Sequence, residues 1–297
     1  MALTACTKSQ TTGIHLENLD TTAVAQNDFY QYACGGWMKN NPLPNEYSRF
    51  GSFDKLGLNN LEQVNGLIAE IAAKQHPMGS IPQKIGDVYN LSMDIERRNA
   101  EGIAPVLPVL AELDAVTDKS QWSAALGKAM DYGLWAMYVD ADAMNSSMNI
   151  LNEYQAGFAL GEKSYYFDQD EHTQHIRAEY LKHIEKMFTL FGIDHAADKA
   201  ATVLRLETRL ADAALSNVEL RDPVANYNKM SIAELQNLVP EVDWNVYFAG
   251  LNIAPDSLSV GQIRHLQEAG KMLAEESLED MKALSQWQII DGSASFL

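Results

Sequence analysis

Four side chains in one stretch of the sequence could together hold a metal ion. His172, His175, Glu179 and His183 recur at steps of three and four residues, so a helix would place them near one face. Zinc peptidases of the H-E-x-x-H type instead need two histidines one turn apart, with a glutamate directly after the first. Here Glu171 precedes the first histidine. A solvated polar helix face explains the pattern better, and we predict no metal site in this chain.

Other catalytic motifs are missing from the sequence as well. It contains no H-E-x-x-H, no G-x-S-x-G, no P-loop and no G-x-G-x-x-G. Its many carboxylates could supply an acid–base pair, but sequence spacing alone cannot choose one. Cys34 shows no sign of a nucleophile beyond Gly35-Gly36 after it, so a structural thiol or half of a disulfide is the better interpretation. Local chemistry therefore predicts no catalytic centre.

The composition narrows the class of protein. The 297 residues include 22 basic and 40 acidic side chains, a net charge of −18, and 46% are hydrophobic. Such an acidic chain repels phosphate backbones, which argues against nucleic-acid binding. No apolar run approaches the ~20 residues that a membrane-spanning helix needs. The balance is that of an ordinary globular protein with enough material for a large core.

The first residues resemble the processing site of a bacterial lipoprotein. Leu3-Thr4-Ala5-Cys6 has the small-residue pattern of a lipobox, and residues 7–13 form a polar tether. The charged and apolar parts of a full signal peptide do not precede it, which indicates a trimmed signal. We therefore expect Cys6 to carry the lipid. The alternative is a chance match at an arbitrary N-terminus.

The elements that must position any site are mainly helices. Leu61, Val64, Leu67, Ile68 and Ile71 form the apolar stripe of a helix that begins near residue 59. Further helices are predicted at residues 83–100, 106–116, 120–132, 174–191, 196–217, 231–238, 257–274 and 278–291. Two helix starts carry capping signals, at residues 118–120 and in the pair Ser231 and Glu234.

One stretch departs from the helical pattern. Residues 134–160 are rich in aromatic and β-branched side chains and favour a short hairpin or extended segments. No repeat of fixed period is present. The predicted fold class is mainly α, a multi-helical domain with a few short strands.

Five segments, in order along the chain, resemble the neprilysin and endothelin-converting-enzyme family of zinc metalloendopeptidases. They are D-F-Y-Q-Y-A-C-G-G-W at 28–37, S-R-F-G-S-F-D at 48–54, L-G-E-K-S-Y-Y at 160–166, E-L-R-D-P-V-A-N-Y-N-K-M at 219–230 and W-Q-I-I-D at 287–291. The third departs from the family's G-L-P-x-R-D-Y-Y at residues 162–164. The resemblance covers residues 13–297.

The resemblance implies a zinc-dependent oligopeptidase whose catalytic half lies outside this sequence. Family members are about twice as long or more, and their C-terminal half carries H-E-x-x-H and the third zinc ligand. Zinc there activates water and polarises the scissile carbonyl. This chain would then supply most of the helical domain that closes the substrate cavity. We expect Zn²⁺ to be bound by the absent half and the chain alone to be inactive.

The family motifs also suggest roles for single residues. Arg49 matches the arginine that pairs with the carboxylate end of a short peptide, a task that suits the guanidinium fork. Asp54 matches the motif aspartate and would orient Arg49. For Arg221 and Asp222 a structural ion pair or loop brace is favoured. Cys34 matches a cysteine that, in animal members, pairs with one in the catalytic domain, so a free thiol is expected here.

Together these inferences give a provisional organisation. Residues 1–12 are a signal remnant and tether, 13–55 an extended segment that contacts the catalytic domain and cavity, and 56–297 an incomplete helical domain. Short peptides and the catalytic half are the expected partners, with the membrane reached only through a lipid, in the bacterial periplasm or at the outer membrane. Two alternatives stay open: a non-catalytic helical module that binds peptides or a partner, and one half of a nicked two-chain peptidase.

Overall fold

The computed structural model describes residue 13 and residues 15–128 and 133–297, and helices dominate this part of the chain. The helices are α1 (Phe29–Asn40), α2 (Ser52–Ala72), α3 (Ile81–Ser92), α4 (Ile95–Glu101), α5 (Leu107–Asp114), α6 (Trp122–Lys128), α7 (Lys163–Phe167), α8 (Glu171–Leu190), α9 (Ala196–Ala213), α10 (Ile232–Leu238), α11 (Trp244–Gly250), α12 (Ile263–Glu275) and α13 (Leu278–Ser293). The strands are β1 (Trp135–Asp142), β2 (Asn145–Gln155), β3 (Lys229–Ser231) and β4 (Ser257–Val260). The predicted class, mainly α with a few short strands, is confirmed.

Two predicted helices are wrong in part. The helix expected at 257–274 begins as strand β4, because Leu258 and Val260 alternate with serine and are fully buried. The helix expected at 83–100 is interrupted: α3 ends before Met93, and α4 starts at Ile95 after the turn-favouring Asp94. The hairpin expected within 134–160 is confirmed as β1 and β2.

The chain forms two compact units, one up to Ile95 and the other from Glu96 onward. We call them the first and the second unit. The second unit contains a four-stranded sheet in the order β1-β2-β4-β3. β1 and β2 are antiparallel, β4 lies parallel to β2, and β3 is antiparallel to β4.

In the first unit, α1 holds the segment that precedes it. Asp28 caps α1 by accepting a hydrogen bond from the Gln31 backbone N–H at 2.8 Å, and the Gln31 side chain donates to Asp20 at 2.9 Å. A Cβ at Gly36 would lie 2.4 Å from the Glu17 carbonyl oxygen, so only glycine lets this segment approach so closely. The motif at 28–37 therefore has a structural reason in its capping residue, its glutamine and its glycine.

The rest of the first unit is a helical pair with little buried surface. α3 packs against the end of α2, where Gly86 faces the Ala72 backbone. No residue of α2 is buried, and the apolar side chains of its predicted stripe stay exposed at Leu61, Val64 and Leu67. α2 is 21 residues long, yet neither it nor any other helix of the described part is apolar enough to cross a bilayer.

The second unit has a continuous hydrophobic core. α9 contributes Val203, Leu206 and Leu210, all fully buried, and packs against α8, α12 and α13. A second cluster of aromatic rings joins β1 to α11, where Trp135 lies 5.3 Å from Trp244 and donates to the Tyr247 hydroxyl at 3.1 Å. These contacts bury the apolar face of each amphipathic helix, the dominant favourable term in folding.

The Y-N-K-M end of the 219–230 motif ties the end of β1 to β3 and to Tyr227 shortly before it. Asp142, only 2% exposed, accepts hydrogen bonds from the Tyr227 hydroxyl at 2.7 Å and from Lys229 at 2.9 Å. These two donors lower the pKa of Asp142 to about 2. Asp222 accepts from the backbone N–H of Val224 and Ala225 at 3.0 Å each, so it braces the loop as predicted.

Candidate functional site

The loop between α1 and α2 presents Arg49 at the surface of the first unit. Aromatic packing anchors this loop, because the Phe50 ring stacks on Trp37 at 6.1 Å and meets Tyr47 edge-on at 5.5 Å. Arg49 itself is exposed and borders a groove of about 390 Å³ formed by residues 49–54. Within the described part of the chain, its guanidinium has no carboxylate within 4 Å.

Asp54 lies in the same groove but its carboxylate is engaged elsewhere. Its Oδ2 atom accepts a hydrogen bond from the Gly51 backbone N–H at 2.7 Å and caps the start of α2. Asp54 therefore acts on the loop through its backbone. The structure thus places both predicted substrate-binding residues in one groove, without an ion pair between them among the described contacts.

Of the two cysteines, the structure describes only Cys34. Cys34 is a half-buried free thiol in α1. Cys6, the predicted lipidation site, lies outside the described residues, as do the lipobox and nearly all of the tether. Its modification stays a prediction.

The histidines of α8 do not converge on a metal site. In the described residues no group of three or more histidine, cysteine, aspartate or glutamate side chains could hold a metal ion. His183 packs edge-on against Trp287 with 5.7 Å between ring centres, and Glu179 forms an exposed ion pair with Lys182 at 2.7 Å. His183 thus takes part in aromatic packing, and Glu179 in an ion pair on the surface of α8.

A buried carboxyl network joins four helices of the second unit, α7, α8, α9 and α13. Glu207 of α9 is fully buried and accepts hydrogen bonds from the hydroxyls of Tyr166 at 2.8 Å and Tyr180 at 2.9 Å. Tyr180 in turn accepts from the Trp287 indole at 2.8 Å. Burial raises the pKa of Glu207 to about 7, although the two hydroxyl donors favour its ionised form. The network links residues of the 160–166 and 287–291 motifs.

Beside this network is a cavity of about 370 Å³. The cavity is lined by the start of β1, the residues that follow β2, the middle of α9 and the last turns of α13. A Cβ at Gly157, whose φ is +86°, would lie 3.1 Å from the Leu134 Cα, so glycine keeps this wall closely packed. Its lining includes Trp135, Phe158, Glu207, Trp287, Gln288 and Asp291, of which Glu207 and Trp287 are fully buried.

Glu207 was not predicted as a site residue from the sequence. Its signal is visible in retrospect: it lies between Leu206 and Leu210 in the apolar stripe of α9, where a charged residue is unusual. The histidines of α8 were considered as metal ligands because of their spacing, and the sequence favoured a solvated helix face for them. Spacing along one helix cannot show which residue of another helix faces it.

Comparison with known proteins gives a consistent answer. The model of peptidase family M13 matches residues 25–297. Endothelin-converting enzyme-like 1 of Mus musculus is 28% identical over 243 residues, which cover 76% of this chain and 31% of the relative. Endothelin-converting enzyme 1 of Mus musculus is 25% identical over 314 residues, covering 100% of this chain and 40% of the relative.

A solved structure agrees with the sequence relatives. The zinc metalloprotease Zmp1 of Mycobacterium tuberculosis, in complex with an inhibitor, superposes with a TM-score of 0.89 at 30% identity. The match covers 96% of this chain and 44% of that protein. The chain thus spans less than half the length of each of these three relatives.

Proposed function

The chain belongs to peptidase family M13, and on that premise we propose that it is the N-terminal part of a zinc-dependent oligopeptide endopeptidase. It supplies the helical domain that closes the substrate cavity, while the catalytic half of the same protein binds Zn²⁺ and cleaves the peptide. The observation that carries the proposal is the family match over residues 25–297, together with relatives more than twice as long.

The uncovered face of α2 supports a second half. Leu61 and Leu67 are more than half exposed, and Val64 is exposed too, on a helix that buries no residue. Surfaces of this kind mark a site of interaction. A catalytic half that packs against α2 would remove this apolar area from water.

The gene itself gives the first test. The proposal predicts that the reading frame continues beyond the codon for Leu297 and encodes H-E-x-x-H. The longer protein should cleave a fluorogenic peptide in a chelator-sensitive manner, whereas residues 1–297 alone should neither cleave it nor bind zinc tightly in calorimetry. A stop codon after Leu297, with peptide binding by the chain alone, would favour the non-catalytic module. Two bands on a denaturing gel of an active preparation would identify a nicked two-chain enzyme.

Arg49 is proposed to bind the C-terminal carboxylate of the peptide substrate. Its support is the exposed guanidinium without a carboxylate partner in the described residues and the anchored loop that presents it. A charge-assisted bidentate contact contributes about 1.5–3 kcal/mol. In the longer enzyme, Arg49→Ala should therefore lower kcat/KM by roughly 10- to 150-fold on peptides with a free carboxylate close to the cut.

Amidated peptides and a matched variant separate recognition from folding. Arg49→Ala should have a much smaller effect on C-terminally amidated substrates, and Arg49→Lys should restore only part of the loss, because an ammonium lacks the planar fork. Arg98→Ala, at an exposed arginine of α4, should leave both peptides unaffected. Equal losses on acid and amide peptides would show that Arg49 has a structural role.

Asp54 is proposed to position this loop by capping α2, with Arg49 as the residue that touches the substrate. Asp54→Asn keeps an acceptor for the Gly51 N–H, and Asp54→Ala removes it. Loss of kcat/KM on acid peptides in the alanine variant, and recovery in the asparagine variant, is the expected result. An equal loss in both variants would point to a direct electrostatic role of the Asp54 charge.

A lipid anchor at Cys6 is proposed to hold the peptidase at the bacterial membrane, in the periplasm or at the outer membrane. The support is the sequence Leu3-Thr4-Ala5-Cys6. Each buried CH₂ of a lipid chain favours the membrane by about 0.8 kcal/mol, and stable anchoring needs two chains. With a full signal peptide supplied, labelled palmitate should enter the wild type and not Cys6→Ser. Equal labelling of both would refute the anchor.

A further inference from the structure

Strand β1 forms one edge of the four-stranded sheet in the second unit, and the proposed peptidase function does not use this edge. Within the sheet β1 pairs with β2 alone. Residues 138–141 are exposed, and the exposed fractions are 49% at Tyr138 and 67% at Val139. β1 contains no proline and no lysine, two residues with which proteins commonly block such an edge. The outer side of β1 is thus open to a further strand.

The pairing on the far side of β2 shows which groups of β1 point outward. The Glu153 carbonyl accepts a hydrogen bond from the Gly261 backbone N–H at 3.1 Å, so the backbone groups of Glu153 point to β4. Because successive residues of a strand direct these groups to opposite sides, those of Asn152 point to β1, where its partner is Tyr138. The N–H and C=O of Val139, the next residue of β1, therefore point to the free edge.

Two outward-facing residues of β1 keep their backbone groups free. Met137 shares the orientation of Val139, and in the described part of the chain neither has a backbone hydrogen bond outside the hairpin. The next outward N–H, that of Ala141, donates to the Oδ1 atom of Asp140 at 2.7 Å, and the register shifts after Ala141. The usable edge ends there, so it matches a short extended segment better than a long strand.

The side chains along this edge favour a positive charge on the neighbouring strand. Tyr138 and Asp140 lie on one face of β1, and Tyr154 of β2 lies on the same face. All of residues 135–155 are described, and Asp140 is their one exposed charged residue, because the other two acidic residues are buried and no basic residue occurs. A carboxylate beside two phenol rings suits a cation on an added strand.

We propose that the edge of β1 binds a short extended peptide that carries a lysine or arginine side chain, which adds a further strand to the sheet. The backbone groups of Met137 and Val139 hold the peptide by hydrogen bonds. Asp140 and Tyr138 select its basic side chain. A second copy of this chain fits less well, because two chains of net charge −18 repel each other and neither edge offers a basic side chain to Asp140.

The proposal goes beyond the peptidase function, since binding at β1 needs neither zinc nor the catalytic half, and it is tested on residues 1–297. The probes are acetylated and amidated pentapeptides of sequence T-V-K-V-T and T-V-E-V-T. Nuclear magnetic resonance follows the backbone N–H signals of Met137 and Val139, with the α9 amides as internal reference. The lysine peptide should shift the two β1 signals only. It should bind at least ~5-fold more tightly than the glutamate peptide, because only lysine pairs with Asp140.

N-methylated forms of the lysine peptide test the backbone contact on the wild-type chain. Methylation of its second and fourth residues blocks one hydrogen-bonding edge and leaves the other, so this form should still bind. Methylation of its second, third and fourth residues blocks both edges and should weaken binding at least ~10-fold. Equal binding of all forms would show that side chains alone make the contact and would overturn the proposal.

A first pair of variants tests the edge from the side of the protein. Val139→Pro removes an outward N–H that the sheet does not use, so it should weaken binding of the lysine peptide at least ~10-fold. Val139→Ala keeps this N–H and should change binding by less than ~2-fold. If circular dichroism shows that Val139→Pro does not fold, the methylated peptides decide the question by themselves.

A second pair of variants tests the charge. Asp140→Asn keeps the acceptor for the Ala141 N–H and should reduce the preference for lysine over glutamate to about 2-fold or less. Asp198→Asn makes the same change of charge at an exposed position in the first turn of α9 and should leave the preference intact. A preference that Asp140→Asn does not reduce would overturn the assignment of a basic peptide.

Two further results would overturn the proposal by identifying another occupant of the edge. A dimer of this chain in analytical ultracentrifugation, dissociated by Val139→Pro, would assign the edge to a second copy. Loss of lysine-peptide binding in the longer protein would show that its other half covers β1. The expected result is a monomer whose Met137 and Val139 amides shift with the lysine peptide in both proteins.

Discussion

One family model matches residues of both units of this chain, but the two units differ in how many residues they bury. In the second unit the apolar faces of α9, α12 and α13 meet in a core with fully buried leucine, methionine and tryptophan side chains. In the first unit the only buried residues among those described are Gly35 and Gly86, and the apolar stripe of α2 faces outward.

This contrast shows that apolar residues at helical spacing predict a helix but do not show whether its apolar stripe is buried. α2 and α9 both repeat apolar residues at helical spacing, and both form helices. Only α9 has neighbours that cover its stripe. The second unit thus has its own source of stability, whereas no residue of α2 is buried within the described part of the chain.

The largest expected difference between the units comes from matched leucine truncations. Leu206 in α9 is 0% exposed and Leu61 in α2 is 56% exposed. Leu206→Ala leaves a cavity in the core and should lower the free energy of unfolding by about 3–4 kcal/mol. Leu61→Ala should change it by no more than about 0.5 kcal/mol. Urea denaturation followed by tryptophan fluorescence and circular dichroism measures both.

The longer peptidase sharpens this comparison. If the catalytic half covers α2, Leu61→Ala should become clearly destabilising there, with a loss that approaches that of a buried leucine. A Leu61→Ala variant that is as harmless in the longer protein as in this chain would argue against coverage of the stripe.

A smaller effect is expected from pH, and it should be confined to the second unit. Glu153 of β2 is 1% exposed, and its Oε1 atom has no hydrogen-bond partner. Burial raises the pKa of Glu153 to about 8 from an ordinary value of 4.5. Between these values the folded chain holds a proton that the unfolded chain releases, so stability falls as pH rises through this window.

Glu153→Gln tests this directly, because the amide replaces the protonated carboxyl without a charge. The difference in unfolding free energy between variant and wild type should grow in favour of the variant from pH 5 to pH 8, by on the order of 2–3 kcal/mol. Only the difference is informative, because His265, whose pKa burial lowers to about 4, adds stability as pH rises to about 6.5. A flat difference curve would mean that Glu153 is already ionised in the fold.

The smallest effect concerns ion pairs. Arg209 of α9 is 24% exposed and contacts Glu268 at 2.6 Å, Glu275 at 2.5 Å and Glu276 at 2.7 Å. Arg209→Gln should cost about 1–2 kcal/mol, part of which 1 M salt should remove. Lys74→Gln, which breaks the exposed pair with Glu70 in the first unit, should cost at most ~0.5 kcal/mol. Equal costs in urea denaturation would mean that the network adds nothing beyond a surface pair.

The sequence predicted local structure better than assembly. The capping pair Ser231 and Glu234 is confirmed, since each side chain accepts a hydrogen bond from the other's backbone N–H. Strand β4 was predicted as helix because four residues are too few for periodicity to decide, and its pairing with β2 comes from residues more than 100 positions earlier.

The candidate site divides in the same way. A motif identified Arg49, yet the cap formed by Asp54 depends on where α2 begins, which the sequence placed seven residues too late, at 59 and not at Ser52. Glu207 is part of the site because its carboxylate accepts hydrogen bonds from tyrosines of α7 and α8, which lie far from it in the sequence. Local rules specify the elements, and tertiary contacts specify what the elements bring together.

Hydrogen exchange of α2 tests the central claim most directly. Amide exchange is measured by mass spectrometry on residues 1–297 and on the longer peptidase, with α9 as the internal reference. The account predicts that α2 amides exchange at least about 10-fold more slowly in the longer protein, because the catalytic half covers their apolar face, while α9 amides are protected in both. Equal exchange of α2 in the two proteins would contradict it.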